Sequence, residues 1–342
     1  MVFVSNSSQT TIGVVGLGYW GPNWVRNILR HPDYSLAWIV DANPDRIKSH
    51  EKQYGLNSNQ VHTDIENAFN VLVPDLVLVA TPPSTHLELG KKVLNLGSNL
   101  IVEKPIGISN KEAMELIALG KSKKLQIFID HTYIFTPLAR KIKDILSKKE
   151  LGDLQFIISS RLNLGLIQKD VDVIRDLAVH DLALFDFFLD QKPESVSANV
   201  ATHAPAKIAS TASLNLNYKN ELISQIGVSW NSPVKVRTMI ISGSKQSILW
   251  DDTDQSEKLK IYEASANLDI SDPNRYISYS LGDTLIPKVD STEAIYIELN
   301  HIRDVLLNNV APINGYEHIE RVNAVLSGLE QSVQKDGSKV RL

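Results

Sequence analysis

The sequence contains no cysteine among its 342 residues. That absence excludes disulfide bonds, thiolate metal sites and cysteine nucleophiles, and it is typical of proteins in a reducing cytosol. Basic residues are not in excess either, since 35 Lys and Arg face 39 Asp and Glu, for a net charge of -4. We therefore expect a cytoplasmic protein that binds neither nucleic acid nor an anionic membrane surface.

Long apolar runs are also missing, because none approaches the roughly 20 residues that a membrane-spanning helix needs. Residues Met1–Thr10 lack the apolar core of a signal peptide, so a frayed tail is expected there. With 43% hydrophobic and 22% charged residues, the chain has the composition of a globular protein large enough for two domains.

Residues 1–133 alternate short apolar runs with helical patterns such as Thr85–Leu96 and Asn110–Lys123. This alternation predicts an α/β, Rossmann-type domain, a parallel sheet with helices on both faces. The predicted strands are Thr11–Gly16, Ser35–Asp41, Asp75–Thr81, Asn99–Glu103 and Gln126–His131. Polar residues cluster at their carboxyl ends, which is the edge where open parallel sheets bind ligands.

Residues 134–342 have a looser pattern that predicts an α+β domain for substrate binding and oligomerisation, with a large, mostly antiparallel sheet. A helix is expected at Val173–Leu189, two more at 292–308 and 315–335, and a long loop at Asn267–Asp290. The predicted strands are Leu154–Leu164, Ser195–His203, Thr211–Tyr218, Leu222–Trp230, Arg237–Ser242, Ser247–Trp250 and Lys258–Glu263. Because such a sheet commonly pairs with a copy of itself, a homodimer or homotetramer is expected.

The most informative motif is the G-x-G-x-x-G run of Gly16, Gly18 and Gly21, which lies between a predicted strand and a helical pattern. Glycines there allow a tight turn and close approach to a pyrophosphate, and Asp41 at the next strand end can accept hydrogen bonds from a ribose diol. A dinucleotide site follows, with Tyr19 and Trp20 in the same loop. Asp41 favours NAD over NADP, and Arg46 either stacks on the adenine or caps a turn.

Three residues are candidates for chemistry. Asp176 and His180 are four residues apart on one predicted helix face, and His180 could exchange a proton with an alcohol or ketone. A purely structural Asp–His pair is the alternative. Lys104, at a strand end before Pro105, could stabilise charge on a substrate oxygen, or could simply lie in solvent.

Other polar residues carry open interpretations. His86 either touches the cofactor or is a structural histidine, and His131 and Tyr133 either line the substrate cleft or pack between domains. Asp181 is expected to be a packing partner. The pairs His180-Asp181 and His301 with Asp304 lack a third convergent ligand, so no metal site is expected.

With these residues in view, the chain resembles the Gfo/Idh/MocA family of nicotinamide-dependent oxidoreductases. The resemblance rests on Gly16-Leu-Gly-Tyr-Trp-Gly21-Pro-Asn, on Glu103-Lys104-Pro105 and on Asp176-x-x-x-His180. The first motif and the ending Glu320–Glu330 resemble a subgroup that acts on nucleotide-linked sugars.

The resemblance implies hydride transfer between nicotinamide and a carbon of a sugar or nucleotide sugar. It implies that Lys104 orients the hydroxyl, that His180 exchanges its proton, and that Asp176 holds the sugar and tunes His180. Glu103, Thr81 and Pro82 would flank the nicotinamide. Arg175 replaces a common aromatic residue, and either binds a carboxylate or phosphate of the substrate or lies on the surface.

Two other functions stay open. The family includes a cofactor-binding repressor that turns nothing over, so a non-catalytic, dinucleotide-dependent regulator is one alternative. Reduction of a cyclic imine, enone or tetrapyrrole on the same scaffold is the other.

Overall fold

The computed structural model describes residues 9–165, 167, 170–203, 208–268 and 277–342. The expected frayed tail lies almost wholly outside these residues. The chain divides into two compact units, one of Met1–Phe135 with Thr292–Glu320, the other of Thr136–Ser291 with Arg321–Leu342. No helix in the described ranges combines the length and the apolar character needed to cross a membrane.

The first unit is built on a six-stranded parallel sheet of order β3-β2-β1-β4-β5-β6. Its strands are β1 (Thr10–Val15), β2 (Tyr34–Val40), β3 (Val61–His62), β4 (Leu76–Val79), β5 (Asn99–Glu103) and β6 (Ile127–Asp130). Its helices are α1 (Gly21–Arg30), α2 (Pro44–Tyr54), α3 (Ile65–Val71), α4 (His86–Asn95), α5 (Asn110–Lys123) and α8 (Ala294–Asn308). The predicted Rossmann sheet is confirmed, with the short β3 added at its edge.

Helix α8 belongs to this unit, which differs from the predicted division at residue 134. Its apolar face, with Ile295, Leu299 and Ile302, packs in one cluster with Ile12 and Trp24. The sequence predicted a helix at 292–308 but did not indicate which sheet that helix would cover.

The second unit carries a nine-stranded sheet of order β14-β13-β12-β11-β7-β10-β9-β8-β15, antiparallel except for the β7–β10 pair. Its strands are β7 (Leu154–Leu164), β8 (Ser195–Ala201), β9 (Thr211–Asn217), β10 (Ile223–Ser229), β11 (Asn231–Gly243), β12 (Ser247–Asp251), β13 (Leu259–Leu268), β14 (Ile277–Leu285) and β15 (Val340–Arg341). The α+β prediction is confirmed. Its helices are α6 (Pro137–Ser147), α7 (Val179–Leu189) and most of α9 (Tyr316–Gln334).

Two expectations in this unit were wrong in detail. The predicted loop Asn267–Asp290 contains β14, which pairs antiparallel with β13, while residues 269–276 lie outside the described ranges. The run Ile277-Ser-Tyr-Ser-Leu281 alternates apolar and polar residues, which is the signal for a strand. The predicted helix Val173–Leu189 begins with a π-helical turn, Ile174–Ala178, and becomes α-helical at Val179.

Candidate active site

The glycine-rich loop of the first unit passes tightly against the end of β4. Gly16 has a φ of +99°, and a Cβ on it would lie 2.4 Å from the carbonyl oxygen of Ala80. A Cβ on Gly21 would lie 1.9 Å from the carbonyl oxygen of Gly16. These two positions therefore admit only glycine.

The space over Gly18 is open, because a Cβ placed there would meet nothing within 4 Å. Helix α1 begins beside it without a side-chain cap and without an acidic residue in its first turn. A helix start of this kind offers backbone N–H groups to an anion. Tyr19 is 93% exposed next to this space. The loop thus fits the diphosphate of a dinucleotide.

Asp41 follows β2 and is only 7% exposed. Its Oδ2 accepts from the backbone N–H of Leu17 at 2.7 Å, and its Oδ1 accepts from that of Asn43 at 2.8 Å. Arg46 Nη1 lies 3.5 Å from Oδ2, but its side chain is half exposed, so this ion pair contributes little. Asp41 therefore holds the glycine-rich loop itself and places its carboxyl group at the end of β2.

His86 is fully buried at the start of α4. Its Nε2 lies 2.8 Å from the carbonyl oxygen of Thr81, and its Nδ1 lies 2.9 Å from that of Pro105. Burial lowers the pKa of the imidazole. The ring thus joins the Thr81-Pro82 loop to the segment after Lys104, which favours the structural alternative over direct contact with a cofactor.

Lys104 is half-buried at the carboxyl end of β5, and its peptide bond to Pro105 is cis. Glu103 Oε2 accepts from the backbone N–H of Lys104 at 3.0 Å. Burial raises the pKa of the Glu103 carboxyl, and the charge of Asp130 raises it further. Its surroundings therefore favour the protonated form of the Glu103 carboxyl.

His131 does not face an open cleft within its unit. It is 3% exposed, and its Nδ1 lies 2.7 Å from Nε2 of His318, at the start of α9. Burial lowers its pKa well below the usual value, and His318 and Lys104 add to that effect. The histidine pair could not be found from the sequence, because 187 residues separate its members.

In the second unit, Asp176 lies in the π-helical turn and His180 in the first turn of α7, both partly exposed. Trp230 Nε1 donates to Asp176 Oδ2 at 2.9 Å and so fixes that carboxylate. Asp181 is instead buried, and it accepts from Ser159 Oγ at 2.8 Å and from Arg161. Asp181 therefore fastens α7 to β7.

Arg175 is 4% exposed and pairs with Glu330 of α9, its Nε donating to Glu330 Oε1 at 2.6 Å. The interpretation of Arg175 as a surface residue was therefore wrong, since its guanidinium is buried and paired with Glu330. The π-helical turn points the side chain inward, and Glu330 comes from a distant part of the chain.

Sequence reasoning also missed Asp130, which ends β6 and accepts hydrogen bonds from Trp20 and Trp24. Its place at the carboxyl end of a parallel strand is the signal that could have identified it. Lys104 lies in the first unit, and Asp176 and His180 in the second.

Two domains of one family match the chain. The domain described as the oxidoreductase family with an NAD-binding Rossmann fold matches residues 10–131, and the Gfo/Idh/MocA C-terminal domain matches residues 139–249. The fold and these matches define an oxidoreductase with an NAD-binding fold. The chain belongs to the Gfo/Idh/MocA family, as its motifs predicted.

Relatives with known names are distant. Inositol 2-dehydrogenase from Rhizobium meliloti is 23% identical over 55% of this chain and 58% of its own length. UDP-N-acetylglucosamine 3-dehydrogenase from Acidithiobacillus ferrooxidans is 28% identical over 42% of this chain and 45% of its own. The chain thus spans less than two thirds of the length of these curated relatives.

Solved structures share the whole fold. The structure of the same UDP-N-acetylglucosamine 3-dehydrogenase has a TM-score of 0.77 at 19% identity, covering 96% of this chain and 99% of its own. The WlbA dehydrogenase from Bordetella pertussis, in complex with NADH and UDP-GlcNAcA, has a TM-score of 0.80 at 15% identity, covering 99% of each chain. At these identities the likeness shows the fold alone.

Proposed function

We propose that the protein is a cytosolic, NAD-dependent dehydrogenase or reductase that acts on a hydroxyl or ketone carbon of a sugar, with a nucleotide sugar as the preferred substrate class. The observation that carries the proposal is the open space over Gly18, at an uncapped helix start and beside Asp41. The neighbours that act on UDP-linked sugars support the substrate class.

The loop from Gly16 to Gly21 and the start of α1 would hold the diphosphate, and Asp41 would receive the adenosine ribose. Thr81, Pro82 and Glu103 would flank the nicotinamide. When bound, nicotinamide accepts or supplies the hydride. The protein's contribution is to hold the reacting carbon against the ring and to keep the site dry.

Lys104 would donate a hydrogen bond to the reacting oxygen and stabilise the negative charge that develops there. His180 would take the hydroxyl proton during oxidation or return it during reduction, since its ordinary pKa lies near neutrality. Asp176, held by the indole of Trp230, would orient the sugar and His180. The mechanism requires Lys104 and His180 to act on one substrate oxygen.

The test is turnover of a panel of sugars and nucleotide sugars with NAD and NADH, for wild type, Lys104→Met and His180→Ala. We expect each variant to lose at least about a hundredfold in kcat while still binding NAD. Lys111→Met and His203→Ala, both at exposed positions, are the matched controls. Wild-type rates in Lys104→Met and His180→Ala would refute the assignment. Tight NAD binding without turnover on any substrate would favour the regulator.

The sheet of the second unit supports a homodimer or homotetramer. Ile158 of β7 and Ile240 of β11 lie opposite each other in register and are 39% and 38% exposed. A second copy of this face would remove both side chains from water. Light scattering tests this, with Ile158→Lys expected to dissociate the assembly and Val71→Lys, at an exposed position of the first unit, as control. A monomeric mass for wild type would refute it.

A further inference from the structure

The carboxylate of Asp130, at the end of β6, accepts hydrogen bonds from the start of α1 and from the segment that follows β6. It is 1% exposed, and its Oδ2 accepts from Trp20 Nε1 at 2.8 Å and from Trp24 Nε1 at 2.7 Å. Its Oδ1 accepts from Thr132 Oγ1 at 2.5 Å. These donors are all neutral, so Asp130 is stabilised by hydrogen bonds and not by an ion pair with them.

Two further carboxyl groups lie beside Asp130. Glu103 is its register partner on β5, and Glu298 of α8 is fully buried, with its Oε1 accepting from Asn314 Nδ2 at 2.9 Å. Burial, followed by the charge of Asp130, raises the pKa of both glutamates well above the ordinary value. Of these three carboxyl groups, Asp130 is the one that accepts hydrogen bonds from both indoles and from Thr132.

This cluster is not arranged as a metal centre. Across the described residues, no group of three or more His, Asp or Glu side chains is placed to hold a metal ion. Both indole N–H groups also donate to Asp130 Oδ2, and these donors oppose a cation at that oxygen. Asp130 therefore acts through the side chains that its hydrogen bonds hold in place.

The indoles connect Asp130 to the glycine-rich loop. Trp20 is the last residue before α1 and lies between Gly18 and Gly21, while Trp24 is one turn further along and fully buried. A single carboxylate oxygen thus fixes both the end of the loop and the first turn of α1. On the other side, Asp130 lies next to the strand that ends in Glu103, directly before Lys104.

We propose that Asp130 is a positioning residue for the dinucleotide, which holds the glycine-rich loop through the indole of Trp20 and so sets the backbone N–H groups that receive the diphosphate. The inference rests on the proposed NAD-binding function. Asp130 itself is 1% exposed, so it would act on the dinucleotide through the loop and not by direct contact. Loss of the Asp130 carboxylate should therefore change the affinity for NAD only through the position of Trp20.

The experiment is a double-mutant cycle read out as the Kd for NAD by calorimetry, with circular dichroism showing that each variant is folded. Asp130→Leu removes the acceptor, and we expect its Kd to rise about tenfold or more. Asp130→Asn keeps an oxygen for the indoles but loses the charge, so a smaller rise is expected. If Asp130→Leu does not fold, Asp130→Asn carries the test.

Coupling to Trp20 separates positioning from general stability. In a Trp20→Phe background, which lacks the indole N–H, Asp130→Asn should change the Kd by less than about twofold. Trp24→Phe is the matched control, because it removes a hydrogen bond from the same oxygen outside the loop. It should lower the thermal midpoint while changing the Kd for NAD less than Trp20→Phe does.

The inference is overturned if Asp130→Leu and Asp130→Asn bind NAD as wild type does, or if the effects of Trp20→Phe and Asp130→Asn multiply independently. If wild type binds NAD but either of these results is found, the proposed function stands and only the role of Asp130 is refuted. If wild type binds neither NAD nor NADP, the proposed function fails and this inference fails with it.

Discussion

Arg161 holds Asp181 through two parallel hydrogen bonds, Nε to Oδ2 and Nη2 to Oδ1, each 3.1 Å long. The two side chains are 7% and 2% exposed. Because Asp181 directly follows His180, this buried pair sets where the first turn of α7 lies on the sheet of its unit. The pair gives a direct test of how α7 is anchored.

Asp181→Asn should lower the free energy of unfolding by about 3 kcal/mol, because it breaks the buried ion pair between Asp181 and the Arg161 guanidinium. Urea denaturation followed by circular dichroism measures this. The control is Lys148→Ala, which breaks an exposed pair with Asp144 and should stay within about 0.5 kcal/mol of wild type. Equal effects of the two substitutions would show that the buried pair does not anchor α7.

Asp41 gives a prediction for cofactor choice. Asp41→Asn keeps an acceptor for the Leu17 N–H but removes the charge that repels a 2′-phosphate, so the ratio of NADP to NAD affinity should rise about tenfold. Calorimetric titration with each dinucleotide measures the ratio. Glu66→Gln, which removes a charge at an exposed position of the same unit, should leave it unchanged. A constant ratio in Asp41→Asn would contradict the role of Asp41.

His86 should matter through the two segments that it joins. His86→Ala removes the buried ring between Thr81 and Pro105 and leaves a cavity, so we expect a loss of about 3 kcal/mol in the free energy of unfolding. Faster amide exchange should appear in both segments. His62→Ala is the control, because the His62 ring lies 3.0 Å from the nearby Asn59 carbonyl oxygen and does not join the two segments. Unchanged exchange after residue 104 would exclude this role.

The raised pKa of Glu298 predicts a pH dependence of stability. Above the ordinary value near 4.5 the unfolded chain loses this proton while the folded protein keeps it. The free energy of unfolding should then fall as pH rises, by about 1.4 kcal/mol per pH unit until the folded pKa is passed. Glu298→Gln keeps the shape of the uncharged side chain but cannot ionise, so it removes this dependence of the free energy of unfolding on pH.

Comparison of Glu298→Gln with wild type isolates the effect, because His86 and His131 titrate in both proteins. The difference in free energy of unfolding should grow as pH rises above about 5 until the folded pKa of Glu298 is passed, as thermal or urea unfolding at several pH values would show. Glu88→Gln, at an exposed position of α4, should give a constant difference. A flat difference for Glu298→Gln would mean that Glu298 is ionised in the folded protein.

The sequence predicted the elements whose signals are local. Continuous apolar runs located the parallel strands, and the glycine spacing located the loop that packs against Ala80. Asp41 and Lys104 were identified because open parallel sheets bind ligands at the carboxyl ends of their strands. The pairing of His131 with His318, of Arg175 with Glu330 and of Asp130 with two indoles was not predictable. Each joins residues more than a hundred positions apart, and only the folded chain brings them together.

The first unit takes its last helix from the end of the chain, and this constrains the order of folding during synthesis. When Phe135 has left the ribosome, all six parallel strands have been synthesised. Trp24 and Ile12 do not yet pack against α8, because α8 has not been made. Glu298 and Asn314 are also missing from the cluster around Asp130 at that stage. The nucleotide-binding half of the protein is therefore completed only after β7 to β14 of the second unit's sheet have left the ribosome.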